Sequence, residues 1–298
     1  MLNKTSNAFA GAPYPYPLAD IADIKVVSDY ARLCLGETET RAGFIDQLCD
    51  YADRLFTGRM WNYQPLTLSY HDYAHTLEAT HVFLSLAMAS RKQLSSEDAI
   101  SPRAIELGLA AILLHDTGYL MIEGDTAGTG AKYTHCHVLR SCAIAASLLP
   151  ALGCTQPEIE DVLGAIRCTG LNGNPPKTHF STPQARRIAC MVATADYVGQ
   201  MSAPSYPSKL PSLFDEFAEA DTYCHIPPEK RPFKSVEQLL DATPAFWAKF
   251  VLPKLTNDFG GVYKYLSTPD PDGHNPYLAA IENNLSLISG RPRPAEPS

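Results

Sequence analysis

The stretch Tyr70-His71-Asp72-Tyr73-Ala74-His75 has two histidines four residues apart, so on a helix they share one face. An apolar run over residues 107–114 ends in His115-Asp116, and a second apolar run over 188–195 ends in Asp196. A buried divalent metal requires ligands such as histidine and carboxylate side chains, and here different apolar helices supply them. The three segments therefore predict a metal site inside a helical core.

The composition is that of an ordinary globular protein, with 45% hydrophobic and 19% charged residues in a chain of 298. The formal net charge of −8 argues against a nucleic-acid binder, which needs a basic face. A small phosphate-bearing substrate remains compatible with this charge, because a bound metal supplies positive charge locally.

The eight cysteines are scattered, and none forms a C-x-x-C pair. This usage is typical of free, mostly buried thiols in a reducing compartment. The first six residues lack the apolar block of a signal peptide, and no window approaches 18 uninterrupted apolar residues. We therefore predict a cytoplasmic protein with no membrane partner.

Apolar residues recur at helical spacing along most of the chain, and no alternating strand pattern of any length is present. We predict an all-α fold, a compact multi-helix bundle with a C-terminal helical extension of the same domain. The predicted parts are an extended N-terminal arm (1–18), N-terminal helices (19–65), a metal-binding catalytic core (66–205), the C-terminal extension (206–289) and a disordered tail (290–298). The predicted helices are 18–36, 37–56, 71–89, 102–115, 133–149, 157–168, one from 183 that carries Asp196, 208–223, 235–241, 245–266 and 275–289.

The ordered set of Y-H-x-x-x-H, H-D and D resembles the HD-domain metal-dependent phosphohydrolase superfamily over roughly residues 66–203. Within it, the opening is similar to the cyclic-nucleotide phosphodiesterases, whose pattern starts Y-H-N-x-x-H. The resemblance implies an HD-domain bundle. It also implies one or two divalent ions (Zn, Mn, Mg or Fe) and a small phosphorylated substrate.

The resemblance also assigns roles to individual residues. His75, His115, Asp116 and Asp196 match the ligands of the first metal, and Asp116 also helps to orient the attacking hydroxide. His71 matches the histidine that protonates the leaving oxygen, a role that suits a side chain whose pKa lies near neutrality.

Three further residues are predicted near the site. His137 and Ser141 resemble the H-x-x-x-S of many bacterial members, so we prefer His137 over His135 as a second-metal or substrate ligand. Gln200 lies one turn beyond the second aspartate and is expected to contact substrate. Arg140 borders a glycine-rich loop and is expected to bind phosphate.

Two positions depart from the family pattern. Asp72 stands where the phosphodiesterases have asparagine. The family's H-D-x-x-H continuation ends here in Tyr119, so one histidine of that pattern is missing. Membership of the broad superfamily is therefore the expectation, without cyclic-nucleotide specificity.

The leading functional hypothesis is hydrolysis of a phosphodiester or phosphomonoester, plausibly of a nucleotide, by metal-bound hydroxide with His71 as general acid. One alternative is an HD-type di-iron oxygenase that acts on a small polyol or phosphonate. Another is a metal-binding sensor without catalysis. Whether the chain forms a homodimer is left open by the sequence.

Overall fold

The structure is a computed structural model that describes residues 23–36, 41–93, 99–267 and 273–291. Within these ranges the chain forms α-helices and short helical turns but no β-strand, which confirms the predicted all-α bundle. The helices are α1 (Ile24–Leu35), α2 (Phe44–Phe56), α3 (Tyr73–Gln93), α4 (Pro102–Leu114), α5 (His137–Leu148), α6 (Gln156–Arg167), α7 (Pro183–Ser202), α8 (Tyr206–Tyr223), α9 (Val236–Phe246) and α10 (Pro276–Ser289).

Helices α3, α4 and α7 form the centre of the bundle, and each packs against the other two. Helix α7 is buried on every side over residues 188–199, and α4 is buried on every side over 108–114. A helix that is apolar all round has no face to offer to water, so it occupies the core. The polar residues at the ends of these helices are therefore carried into the interior.

Side-chain caps fix where the three central helices begin. The Ser101 hydroxyl accepts a hydrogen bond from the Ala104 amide at 3.2 Å, as the Ser-Pro pair predicts. Thr182 caps α7 in the same way, again with proline next. At α3 the Asp72 carboxylate accepts from the His75 amide at 2.8 Å. The helix start therefore holds the backbone of His75 directly.

Gly199 lets α3 and α7 cross closely. A Cβ atom at this position would lie 2.9 Å from the Cα of Ala79, which real side chains do not tolerate. Gly199 lies three residues after Asp196, and Ala79 lies four residues after His75. The glycine contact therefore sets how close these two predicted ligands come.

Several predicted helix ends differ from the structure. Helix α5 begins at His137 and not at Tyr133, because a separate 3-10 turn occupies Gly130–Tyr133. Helix α2 begins at Phe44, after Gly43 in the left-handed conformation. The predicted arm at 1–18, residues 37–40 and the tail after 291 lie outside the described residues.

The predicted break between 241 and 245 is also absent. Helix α9 continues directly into wide π-helical turns at Trp247–Val251 and Lys254–Asp258, and a 3-10 turn follows at Val262–Leu266. Pro244 and Pro253 lie in this region and supply no backbone N–H. A missing donor interrupts the regular hydrogen-bond ladder, and a widened turn accommodates the loss without ending the helix.

The C-terminal extension packs onto the core. Helix α10 lies against α7, and the Asn284 amide donates hydrogen bonds to the Met201 and Ala203 carbonyls at 2.9 and 2.8 Å. Helix α8 lies against the turn at residues 130–133. The extension therefore stands beside the ends of the helices that carry the predicted site.

We expect Gly199→Ala to destabilise the protein by about 1–3 kcal/mol, because overpacking a tight contact costs that much. Alanine's better helix propensity, about 1 kcal/mol, offsets only part of this cost. Thermal unfolding followed by circular dichroism measures the change. Gly290→Ala is the control, since its Cβ would meet only the Ser286 carbonyl, at 3.3 Å. Equal melting temperatures for the two variants would contradict the close crossing.

Candidate metal centre

Four ligand-type atoms from α3, the end of α4 and α7 converge in the core. His75 Nε2 lies 3.4 Å from Asp116 Oδ2 and 3.3 Å from Asp196 Oδ1. His115 Nε2 lies 3.3 and 3.5 Å from the same two oxygens. Ligand atoms about 2.1 Å from one ion lie about 3.4 Å apart at the tetrahedral angle. The ligand atoms of His75, His115 and Asp116 all lie within 4.8 Å of one another, a spacing that fits a shared cation, and Asp196 Oδ1 approaches the two histidines.

The cluster is buried in the core. The side chains of His75, His115 and Asp116 are 2–4% exposed, and that of Asp196 is 12% exposed. His115 Nε2 and Asp116 Oδ2 have no hydrogen-bond partner among the described residues. Leaving such atoms unpaired in the interior is costly, and a divalent cation would satisfy both. The residues therefore fit a metal ion.

Backbone carbonyls orient two of the imidazoles. His115 Nδ1 lies 2.7 Å from the Ile112 carbonyl, so Nδ1–H donates there and Nε2 is directed at the carboxylates. His137 makes the same contact with Thr134, and its Nε2 lies 3.7 Å from Asp116 Oδ1. His115 and His137 thus face different oxygens of the Asp116 carboxylate. His137 is placed beside the four-atom cluster and not within it.

Electrostatics keep both carboxylates ionised. Burial by itself raises the pKa of Asp116, but the His115, His71 and His75 imidazoles outweigh it and hold that pKa well below its usual range. Burial also opposes ionisation of Asp196, yet His115 and His75 lower its pKa to about 2. In return, the two aspartates raise the pKa of His115 well above its ordinary value despite its burial.

His71 lies outside the ligand cluster and has its own carboxylate. Its Nδ1 is 2.6 Å from Glu216 Oε2, and Glu216 Oε1 accepts from the Tyr70 amide at 2.8 Å. Burial lowers the pKa of His71, but the hydrogen bond and charge of Glu216 more than reverse this and raise it overall. Glu216 comes from α8, and sequence reasoning missed it. The one local sign that Glu216 is directed inward is that it shares a face of α8 with Leu213, which packs against the core, and with Ala220, which is buried.

Tyr119 is the second residue that sequence reasoning missed. Its ring stacks on His71 with the centroids 4.7 Å apart, and on His137 with the centroids 4.5 Å apart. It occupies the position where the family pattern has histidine. Burial, more than the nearby carboxylates, raises its pKa well above the ordinary value, so the phenol stays protonated. Tyr119 therefore supplies a neutral hydroxyl where the family pattern would supply an imidazole.

Gln200 is near the cluster, but its side-chain amide already forms hydrogen bonds with protein groups. The Tyr70 hydroxyl donates to Gln200 Oε1 at 2.6 Å, and Gln200 Nε2 donates to the Asp196 carbonyl at 3.2 Å. The sequence predicts a substrate contact for Gln200. In the structure this side chain instead joins the segment before α3 to the helix that carries Asp196.

Arg140 and His135 also have protein partners. The Arg140 guanidinium donates to the Gly118 and Leu120 carbonyls, both at 2.7 Å, and so holds the turn that follows Asp116. The predicted phosphate contact of Arg140 would compete with these bonds. His135 is 45% exposed and contacts Asp221 at 3.1 Å, away from the four-atom cluster. The preference for His137 over His135 as a ligand stays a prediction.

The fold and the cluster together define an all-α protein with a candidate metal centre at the meeting point of three buried helices. The chain belongs to the Npun_R2479-like family, whose model matches residues 59–270. This range contains every residue of the cluster, together with Glu216. No curated protein matches the sequence. In the described part of the chain, no helix is long and apolar enough to cross a membrane.

We expect the purified protein to hold a divalent ion, measured by plasma mass spectrometry and by a rise in melting temperature on metal addition. His75→Ala should lose the ion, whereas His71→Ala should retain it, because His71 pairs with Glu216 outside the cluster. Affinity should fall as pH is lowered, since protons compete for the imidazoles. Equal metal content in His75→Ala and the unchanged protein would argue against this centre.

Proposed function

We propose that the protein is a metal-dependent phosphohydrolase that cleaves a phosphodiester or phosphomonoester of a small molecule such as a nucleotide. The observation that carries the proposal is a ligand cluster with a separate, carboxylate-paired histidine beside it. The His71 and His75 rings are 6.0 Å apart, yet Glu216 contacts only His71. A histidine held by its own carboxylate beside a metal site can serve as a general acid. The resemblance to the HD-domain superfamily supports the same proposal.

His75, His115, Asp116 and Asp196 would hold the ion, which supplies positive charge to a phosphoryl oxygen and lowers the pKa of a bound water. The ionised carboxylates of Asp116 and Asp196 accept hydrogen bonds from the attacking water and so orient it. Their burial excludes bulk water, which strengthens these interactions.

His71 is proposed to donate the proton that the leaving oxygen needs. Glu216 keeps a proton on Nδ1 and stabilises the charged ring, so Nε2–H is left to donate. A positioned general acid of this kind contributes about 10²–10⁴-fold to the rate. By raising the pKa of His71, Glu216 favours the protonated ring that a general acid requires.

The charge balance of the site makes the proposed activity strictly metal-dependent. Asp116, Asp196 and Glu216 are all acidic, and the Lys209 ammonium nearby is paired with Asp72 at 2.6 Å. An anionic phosphate would be repelled by this set unless a cation offset it. A chelator should therefore abolish substrate binding as well as turnover.

Aryl phosphodiester and phosphomonoester substrates and a nucleotide panel, each with Mn²⁺, Mg²⁺, Zn²⁺ or Fe²⁺, test the activity. We expect Asp116→Ala to abolish turnover, and His71→Ala to keep metal but lose about 10²–10⁴-fold in kcat. His135→Ala, outside the cluster, is the matched histidine control. Absence of turnover with every metal would contradict the hydrolase proposal. Two irons per chain with a mixed-valent signal would instead favour the oxygenase.

We expect Glu216→Gln to move the basic limb of the pH–rate profile to lower pH. The acid must be protonated, so activity is lost as pH rises through the pKa of His71. Glu216 raises that pKa, and glutamine removes the charge that does so. Glu219→Gln is the control, because Glu219 lies on the same helix but bonds to Thr129. Superimposable profiles for Glu216→Gln and the unchanged protein would contradict the role of Glu216.

A further inference from the structure

Several buried side-chain atoms of the described residues have no hydrogen-bond partner, and His115 Nε2, Asp116 Oδ2 and the Tyr119 hydroxyl are among them. The first two face the ligand cluster, and a metal ion accounts for them. The Tyr119 hydroxyl is not part of the four-atom cluster and stays unexplained. Buried polar groups in folded proteins are nearly always paired, so an unpaired one in a candidate site points to a ligand.

The Tyr119 ring lies beside two histidines of the candidate site. It stacks on both His71 and His137, with interplanar angles of 21° and 13°. Its ring therefore lies alongside the proposed proton donor and alongside the histidine that faces Asp116. The phenol oxygen is attached directly to this ring, so the two stacking contacts also restrict where the hydroxyl can lie.

A phosphate in this site needs hydrogen-bond donors, and the nearby basic side chains are already bonded to other protein groups. Arg140 donates to two backbone carbonyls, and Lys209 pairs with Asp72. Lys132 is paired with Asp125 at 2.6 Å. A tyrosine hydroxyl is protonated at neutral pH and donates without adding charge. The Thr134 side chain lies close to the Tyr119 hydroxyl. No hydrogen bond of normal geometry joins them, so the hydroxyl is available to donate to a ligand.

We propose that Tyr119 binds substrate by donating its hydroxyl hydrogen bond to a non-bridging phosphoryl oxygen. This inference rests on the proposed phosphohydrolase function and adds a residue to it. The two imidazoles hold the ring, so the hydroxyl is positioned before substrate arrives. Inorganic phosphate, as the smallest ligand with such oxygens, should be sensitive to this contact.

The experiment compares the unchanged protein with Tyr119→Phe and Tyr133→Phe, each loaded with Mn²⁺ and titrated with inorganic phosphate by calorimetry. Phenylalanine keeps the stacked ring and removes only the hydroxyl. We expect Tyr119→Phe to retain its metal, to melt at the same temperature or higher without phosphate, and to bind phosphate about 10- to 100-fold more weakly. Its kcat/KM for the aryl phosphate should fall by a similar factor.

Tyr133→Phe is the matched control, because the Tyr133 hydroxyl donates to Asp125 at 2.8 Å outside the cluster. It should melt lower but bind phosphate normally. If Tyr119→Phe melts lower and binds phosphate normally, its hydroxyl is structural and the inference is overturned while the hydrolase proposal stands. If the metal-loaded unchanged protein neither binds phosphate nor turns over any ester, the proposed function fails and the inference fails with it.

Discussion

Two ionised aspartates buried among apolar helices are the constraint on which the rest of this structure depends. Asp116 and Asp196 lie in a core where an uncompensated carboxylate is prohibitively costly. His75 and His115 approach both of them, and the histidine orientations are fixed in turn by helix caps and backbone carbonyls. A metal ion held by these side chains would balance the negative charge of the two aspartates. The close crossing of α3 and α7 at Gly199 brings the side chains near enough to share one ion.

The C-terminal extension is part of the site and not an addition to it. Helix α8 contacts His71 through Glu216, Asp72 through Lys209 and Thr129 through Glu219. These contacts reach both the segment before α3 and the glycine-rich loop after Asp116. The histidine proposed as the acid therefore acquires its carboxylate partner only when the last third of the chain has folded onto the first.

The two sides of Asp116 are chemically different. One oxygen faces His75 and His115, and the ligand atoms of these three residues lie close enough together to hold one ion. The other faces His137, and the Tyr119 ring stacks on that histidine. Among the described residues, the second side thus has fewer metal ligands and one more hydroxyl. This asymmetry favours substrate binding over a second tightly held ion in the proposed mechanism.

The sequence by itself predicts the all-α fold and the central burial of α4, because both depend on local spacing. The individual metal ligands are predicted from the resemblance to the HD-domain pattern. Apolar residues that recur every turn define a helix, and a histidine or aspartate at the end of such a run must enter the core. Several helix ends differ because left-handed glycines and prolines adjust turns in ways that periodicity does not encode. Only the tertiary structure pairs Glu216 with His71, a contact across 145 residues, and engages Gln200 and Arg140 with protein partners. The physical reason is that such contacts depend on how helices pack, and nothing in the local sequence around either partner records the other.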